Sequence, residues 1–310
     1  MLYLDKPPVL IETRVFSRMP AEFRKSGEVP SWAVANKAGQ PVESFIEGPS
    51  FDADGRLYIV DIPYGRIFRI TPEGEWTLVA QYDGEPNGLK FHPDGRILIA
   101  DYRRGVMQLD PHNGRVTPLL TSRNGESFKG VNDLAIASNG DIYFTDQGQT
   151  GLHDPSGRVF RLSANGRLDC LLDRGVSPNG LVLDAAERVL FVAMTRDNAI
   201  WRVPLLPDGG VAKVGRFCSM FGTSGPDGLA MDEAGNLYVA HASLGHVLVF
   251  APNGEWIARI KSCAGTTVTN MAFGGPQRRQ LFITESLTGT VLVAEVEHAG
   301  MRLPRLPAST

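Results

Sequence analysis

Apolar and polar residues alternate along most of this chain in short runs, a pattern typical of strands that have one buried face. Residues 47–61 and 87–101 share one order: an apolar run, an Asp-Gly turn signal, and a second apolar run that ends in Asp. No stretch shows a sustained helical period. The same order returns in four more repeats, which begin at residues 132, 179, 227 and 269.

A repeat of roughly 40 to 48 residues, built from short strands, predicts a β-propeller with one blade per repeat. In the first repeat, Asp54-Gly55 marks a hairpin between the first two strands. Residues 65–70 alternate as a third strand, and residues 75–82 as a fourth. We therefore predict an all-β fold: a six-bladed β-propeller with four-stranded antiparallel blades around a central channel.

Two segments compete to close this ring. Residues 1–46 precede the first repeat as an irregular leader, interrupted by several prolines, and residues 47–310 form the propeller domain. Either a strand near residues 11–16 completes the last blade, or residues 301–303 do so and the leader covers one mouth of the channel. Trp32 is a candidate for such a cover.

Composition and charge exclude several classes of partner. The 310 residues include 34 Gly and 21 Pro, which suits a turn-rich β fold. A formal net charge of -3 without a basic cluster argues against nucleic acid and anionic membranes as partners. Without a signal-peptide pattern or the ~18 apolar residues of a membrane span, we expect a cytoplasmic protein of undetermined oligomeric state. We expect free, buried thiols at the three cysteines, Cys170, Cys218 and Cys263.

One position of the repeat is polar almost throughout, and these six side chains are named here the upper ring: Glu47, Asn87, Asn132, Asn179, Asp227 and Thr269. The innermost strands of a propeller lie side by side around its axis, so equivalent positions converge at one depth of the channel. Two carboxylates and several amide oxygens at one depth suit a single divalent cation. Ca²⁺ favours such oxygen ligands, whereas Zn²⁺ usually recruits His or Cys; Zn²⁺, Mg²⁺ and Mn²⁺ stay open.

The same residues also admit a structural interpretation. Asn-Gly and Asp-Gly pairs tolerate left-handed turns, which would account for Asn87, Asn179 and Asp227 without any ligand. Glu47 fits that interpretation poorly, because Glu does not favour turns. Carboxylates gathered on a channel axis would repel each other unless a positive charge lay between them.

Five motifs occur in one order around these positions: Glu47-Gly-Pro, Asn132-Asp133, Ser177-Pro-Asn179-Gly, Gly225-Pro-Asp227-Gly and Phe273-Gly-Gly. In this combination the chain resembles the senescence-marker-protein/gluconolactonase/luciferin-regenerating-enzyme family of six-bladed propellers. The resemblance implies a divalent ion, commonly calcium, held by Glu47, Asn179 and Asp227. It further implies that Asn132 holds the ion indirectly or touches the substrate.

The resemblance also implies an activity, the hydrolysis of a small lactone at its carboxylic ester bond. A cation on the lactone carbonyl oxygen would stabilise the negative charge that develops there as water attacks. Either Asp133 or Asp227 would accept the proton of that water. We favour Asp133, because Asp227 as a direct ligand has already committed lone pairs to the ion.

One departure from the family pattern concerns the substrate. Sugar-lactone members carry an Arg two residues before the Asn-Asp pair, where this chain has Gly130. The neighbouring Lys129 is a candidate for binding substrate in its place. Residues 132–136 and 143–146 resemble the third blade of the staphylococcal drug-responsive lactonases, so the substrate need not be a sugar lactone.

Further candidates for substrate binding lie beside the upper ring. They are Asn87, Asn132, His241 and His153, the last on the long loop 147–157. His241 belongs to a second set of polar residues, which end the second strand of five repeats. Acidic side chains in such positions often accept hydrogen bonds from backbone N–H groups of the next turn. We therefore expect a structural role for most members of this set. His241 breaks the acidic pattern and titrates near neutral pH. The set consists of Asp61, Asp101, Asp146, His241 and Glu285.

Two alternatives to a lactonase stay open. One is a phosphotriesterase like diisopropylfluorophosphatase or paraoxonase, because the former shares the propeller and a similar calcium ligand set, and phosphoryl and carbonyl oxygens bind such an ion alike. The other is a non-catalytic propeller that binds a ligand or protein on one face. The carboxylates in the upper ring argue against a non-catalytic propeller, since a purely structural channel does not need them.

Overall fold

A computed structural model describes residues 3–302, and its six large sheets form a six-bladed β-propeller. The prediction of an all-β fold with four-stranded antiparallel blades is confirmed. The leader contributes two strands and one short helix, β1 (Val9–Glu12), β2 (Arg14–Arg18) and α1 (Ser31–Asn36).

Blades 1 to 3 follow the leader, and their strands are hydrogen-bonded in chain order. Blade 1 contains β3 (Ile46–Phe51), β4 (Leu57–Asp61), β5 (Arg66–Ile70) and β6 (Trp76–Gln81). Blade 2 contains β7 (Pro86–Phe91), β8 (Ile97–Asp101), β9 (Gly105–Asp110) and β10 (Arg115–Leu120), followed by a small hairpin, β11 (Ser122–Arg123) and β12 (Glu126–Ser127). Blade 3 contains β13 (Val131–Ile136), β14 (Ile142–Asp146), β15 (Gly157–Leu162) and β16 (Leu168–Gly175).

Blades 4 to 6 repeat this plan. Blade 4 contains β17 (Pro178–Leu183), β18 (Val189–Met194), β19 (Ala199–Pro204) and β20 (Gly215–Ser219). Blade 5 contains β21 (Pro226–Met231), β22 (Leu237–His241), β23 (His246–Phe250) and β24 (Trp256–Lys261). Blade 6 contains β25 (Val268–Gly274), β26 (Gln280–Glu285) and β27 (Thr290–Glu295). Single 3₁₀ turns occupy Ala21–Phe23, Ile62–Tyr64, Thr195–Asp197 and Pro276–Arg278.

The turn signals of the sequence form the hairpins between first and second strands. Gly55 and Gly95 adopt positive φ values of 78° and 92°, which a residue with a side chain rarely adopts. In the first of these turns, Asp52 accepts hydrogen bonds from the backbone N–H groups of Asp54 and Arg56 at 3.0 and 2.9 Å. Local Asp side chains therefore satisfy the turn and fix the strand register.

The leader closes the ring. β2 pairs antiparallel with β27 and supplies the fourth strand of blade 6. Of the two candidate closing segments, the one in the leader therefore completes the last blade. β1 pairs in parallel with β24 and adds a fifth strand to blade 5. Met301 donates its backbone N–H to Met231 in blade 5 rather than extending blade 6, and residue 303 lies outside the described residues.

Helix α1 packs on the start of blade 1. Trp32 and Ala33 are buried, and the Trp32 ring lies 4.8 Å from the Phe45 ring. A helix of six residues is not stable by itself. Burial of a large apolar side chain stabilises it by about 1.5–3 kcal/mol and so anchors it to blade 1. Helix α1 therefore lies beside the start of the innermost strand of blade 1.

Two expectations from composition can be checked against the described residues. No helix within residues 3–302 is both long and apolar enough to cross a membrane. The three cysteines are free, but the expectation of burial is wrong for Cys263, which is exposed; Cys218 is buried and Cys170 is half-buried.

Candidate functional site

Every innermost strand is irregular where it carries its upper-ring residue. In blade 3, Val131 pairs with Asp146 and Leu134 with Phe144, so the register shifts across Asn132. Shifts occur across the upper-ring residue in four of the other blades and directly after Glu47 in blade 1. A β-bulge interrupts the alternation of side chains and re-aims them, and bulges are common beside functional sites. The repeat therefore encodes one local distortion six times, at one depth of the channel.

Glu47 is buried and held in place by two donors. Its Oε2 atom accepts hydrogen bonds from the backbone N–H of Gly48 at 2.6 Å and from Nδ2 of Asn270 in blade 6 at 2.9 Å. Burial, and to a lesser degree the nearby charge of Asp133, raises the pKa of Glu47 to about 7 against the opposing effect of these hydrogen bonds. The charged form of Glu47 therefore lacks a compensating positive charge from the chain.

Asp227, in blade 5, is the second upper-ring carboxylate with a raised pKa. It is partly exposed to the channel but surrounded by protein, and burial raises its pKa well above the ordinary value. The charges of Glu47 and Asp133 raise it further, while a hydrogen bond from Asn179 opposes them. Two carboxylates with raised pKa values, one of them raised partly by the charge of the other, form a site that favours a cation between them.

The amide side chains leave oxygen atoms free. Asn132 donates its Nδ2 to Oε1 of Gln147 at 2.8 Å, and Gln147 donates in turn to Oγ of Ser177 at 3.0 Å. Within residues 3–302 no donor bonds to Oδ1 of Asn132 or of Asn179. Gln147 thus fixes the Asn132 amide so that its oxygen, the better cation ligand, stays available.

The next residue of each innermost strand forms a second layer, named here the lower layer: Gly48, Gly88, Asp133, Gly180, Gly228 and Asn270. Asp133 and Asn270 belong to opposite blades, both are buried, and the Asn270 side chain lowers the pKa of Asp133. A Cβ atom on Gly88 would lie 2.5 Å from Oδ1 of Asp133, and one on Gly228 would lie 2.2 Å from Oδ1 of Asn270. Glycine is therefore required here, and the Asp133–Asn270 pair floors the site.

Asp133 is consequently placed below the upper ring rather than within it. Burial raises its pKa, and the positive charge of Lys90, two residues beyond Gly88 on the neighbouring innermost strand, opposes that rise. Its Oδ1 accepts the backbone N–H of Leu134 at 2.8 Å.

The acidic members of the second polar set support the ring from behind. Each accepts the backbone N–H of the residue two positions before an upper-ring residue, which fixes where the innermost strand begins. The pairs, with their distances, are Asp61 with Phe45 at 2.7 Å, Asp101 with Glu85 at 3.1 Å, Asp146 with Gly130 at 2.8 Å and Glu285 with Thr267 at 3.0 Å.

His241, the exception in that set, is fully buried. Its Nε2 atom has no partner within the described residues, and a Cβ on Gly222 would lie 2.9 Å from its ring. Burial lowers the pKa of His241, so the imidazole is neutral at pH 7. These contacts place His241 behind Gly222. Asn87, another residue proposed to bind substrate, is partly exposed at its position in the upper ring.

The other proposed substrate contacts lie near the mouth. Nζ of Lys129 bonds to Oγ of Ser156, so this ammonium points to the 147–157 loop. His153 lies on that loop beside Gly151 and Arg196. The structure therefore gathers Glu47, Asn179 and Asp227 closely, while Lys129 and His153 lie at the periphery.

Sequence reasoning missed two neighbours of the site, Gln147 and Tyr102. A Cβ on Gly130 would lie 2.6 Å from the Tyr102 ring, so the ring occupies the space beside the position where sugar-lactone members carry Arg. Nε2 of Gln149 donates to the Tyr102 hydroxyl at 2.8 Å. The available signal was the glycine itself, whose φ of 159° and close contact exclude a side chain.

The chemistry of the donor set is that of a hard cation site. Within residues 3–302, no three His, Cys, Asp or Glu side chains come together as cation ligands. A cation here would therefore depend on the two carboxylates of Glu47 and Asp227 together with amide oxygens, which suits Ca²⁺ better than Zn²⁺.

Comparison with known proteins agrees with this architecture. Residues 45–286 match the family model described as SMP-30/Gluconolactonase/LRE-like region. The gluconolactonase of Zymomonas mobilis is 33% identical over 275 residues, which cover 77% of this chain and 76% of that protein. The lactonase drp35 of Staphylococcus epidermidis is 30% identical over 227 residues, 69% of each chain. The crystal structure of a calcium-binding protein, regucalcin from Agrobacterium tumefaciens, aligns with a TM-score of 0.78 and 21% identity over 96% of this chain and 99% of that one, which supports the fold alone.

Proposed function

We propose that this chain, which belongs to the SMP-30/gluconolactonase/LRE-like family, is a divalent-cation-dependent lactonase that hydrolyses a small lactone at the upper ring. The observation that carries the proposal is the pair Glu47, which is buried, and Asp227, which is partly exposed: both carboxylates have raised pKa values and no neutralising ion pair within the described residues. A binding propeller without a cation would have no use for this pair. The cation we favour is Ca²⁺.

The residues present fit such an ion. Glu47, Asn179 and Asp227 would hold it directly, and the free Oδ1 of Asn132 would bind either the ion or the substrate. A bound divalent cation supplies positive charge that stabilises the negative charge developing on the lactone carbonyl oxygen.

The chain's own residues supply the remaining steps. Water adds to the carbonyl carbon, the ring C–O bond breaks, and a carboxylate and a hydroxyl form with net release of one proton. Asp227 is partly exposed to the channel, so we assign proton acceptance to it. Asp133 lies one layer deeper and already accepts the backbone N–H of Leu134. The sequence favoured Asp133 as the base, but on these grounds we prefer Asp227 and keep Asp133 as the second candidate for the base.

The test is hydrolysis measured by acid release, with chelated and then calcium- or zinc-reloaded protein. The panel contains sugar, aliphatic and aromatic lactones and one phosphofluoridate. We expect lactone turnover that returns with the cation and falls about 10²- to 10⁴-fold in Asp227→Asn, as for loss of a catalytic base. Asp110→Asn, at the exposed end of β9, is the matched control.

Three outcomes separate the candidate assignments. Turnover that survives in Asp227→Asn but disappears in Asp133→Asn would return the base to Asp133. Turnover of the phosphofluoridate alone would favour a phosphotriesterase. Absence of turnover with every cation would reject the enzyme and favour a binding propeller.

A further inference from the structure

Lys37 places a positive charge at the mouth of the channel without an ion pair. It caps the C-terminal end of α1, and its Nζ lies 4.5 Å from the centroid of the Phe45 ring and 6.0 Å from that of Trp32. Within residues 3–302 its ammonium forms neither an ion pair nor a hydrogen bond. Aromatic rings attract a cation but leave its N–H donors free.

Acidic groups of two further blades act on this ammonium ion. Phe45 lies two residues before Glu47 at the start of blade 1. The charges of Asp227 in blade 5 and Glu285 in blade 6 both act on Lys37, although burial outweighs them and lowers its pKa. A group that faces blades 1, 5 and 6 together lies over the channel entrance rather than on one flank. Both carboxylate oxygens of Glu285 already accept backbone N–H groups, which leaves the ammonium donors free for a ligand.

A second positive charge, that of Arg196, also acts on Asp227. Arg196 is exposed in the 3₁₀ turn after β18 of blade 4, and its positive charge opposes the raised pKa of Asp227. Once a divalent cation balances the charges of Glu47 and Asp227, Glu285 is the remaining acidic group that acts on Lys37, so Lys37 and Arg196 together leave an excess of positive charge at the mouth. A neutral lactone makes no use of that excess, whereas an anionic one is attracted by it.

We propose that Lys37 binds a carboxylate group of the substrate, so that the enzyme acts on a lactone that carries a carboxylate substituent. This proposal rests on the lactonase function and deepens it by naming the substrate class. Arg196 also attracts the carboxylate but, because it is exposed, it contributes less than Lys37.

The test compares 5-oxotetrahydrofuran-2-carboxylate with the matching neutral carboxamide, which has the same ring and nearly the same shape. We expect the calcium-loaded enzyme to prefer the carboxylate in kcat/KM by about 10- to 100-fold, the range of a charge-assisted hydrogen bond. Lys37→Gln should abolish this preference mainly through KM, and Lys37→Arg should keep part of it. Lys25→Gln, in the same leader but on its exposed surface, is the control and should keep the full preference.

A binding measurement separates failure of this proposal from failure of the lactonase function. Calorimetry with 2-hydroxyglutarate, the hydrolysis product of the carboxylate, should show binding that weakens about 10-fold or more in Lys37→Gln but not in Lys25→Gln. Lactone turnover with equal kcat/KM for carboxylate and carboxamide would overturn the role of Lys37 while the lactonase function stands. No turnover, with product binding still dependent on Lys37, would overturn the lactonase function and support the anion site. Binding that is indifferent to Lys37 would overturn the anion site.

Discussion

The raised pKa of Glu47 predicts that the cation-free protein loses stability as the pH rises. The folded-state pKa is about 7 against an ordinary value of 4.5. Between these two pH values the folded protein keeps a proton that the unfolded chain has released. Stability from this group is therefore fully present below pH 4.5 and is lost as the pH rises to about 7.

The size of the loss follows from the shift. At 1.36 kcal/mol per pKa unit, a rise from 4.5 to about 7 costs about 3 kcal/mol at pH 8. Glu47→Gln removes this cost, because the Gln oxygen still accepts the hydrogen bonds from Gly48 and Asn270. For a chain of this size, about 3 kcal/mol corresponds to a rise in Tm of roughly 5 °C.

The assay is thermal unfolding of chelated protein at pH 5 and pH 8, for the wild type, Glu47→Gln and the exposed control Glu73→Gln. We expect Glu47→Gln to melt higher than the wild type at pH 8 and close to it at pH 5. Saturating calcium should then stabilise the wild type, by about 2.7 kcal/mol at 100 times Kd, and not Glu47→Gln. A variant that melts below the wild type at pH 8, or a wild type whose Tm does not depend on pH, would refute the reasoning.

Three further predictions follow from contacts around the site. Gly130→Arg should destabilise the protein by about 2 kcal/mol, because its Cβ meets the Tyr102 ring, and adding Tyr102→Ala should recover most of the loss in a melting experiment. If the double variant melted no higher than the single one, Tyr102 would not be the obstacle. Gln147→Leu should weaken calcium binding about 10-fold in calorimetry, since the Asn132 amide loses the acceptor that fixes it, whereas Gln147→Glu should keep most of the affinity; equal affinity in all three proteins would remove Gln147 from the site. Deleting residues 1–18 should lower the Tm and cause aggregation visible by light scattering, because β27 becomes an open edge; a monomeric deletion variant with an unchanged Tm would argue against that closure.

The repeat made the fold and the upper ring predictable. Strand period, turn residues and spacing all agree in six copies, so the equivalent positions of Glu47, Asn132, Asn179 and Asp227 could be aligned without a structure. The convergence of those positions follows from propeller geometry alone.

Non-local contacts were beyond the sequence. Both candidate closing segments have apolar residues, and only the register between β2 and β27 decides between them. The roles of Gln147 and Lys37 depend on side chains of other blades, for which the sequence has no periodic signal. The depth of Asp133 was also hidden, because a bulge sends consecutive residues to different layers and strand alternation does not say which residue lies lower.

The two leader strands also bear on how the protein is made. β1 and β2 lie against blades 5 and 6, and Thr13 bonds to Lys261, a partner 248 positions later in the chain. β1 and β2 are synthesised before their partner strands, so they wait for blades 5 and 6 before they can pair. Contacts of such long sequence separation slow folding. Until they form, the edge of blade 6 is open, so a chaperone that shields this edge during synthesis would raise the yield of native protein.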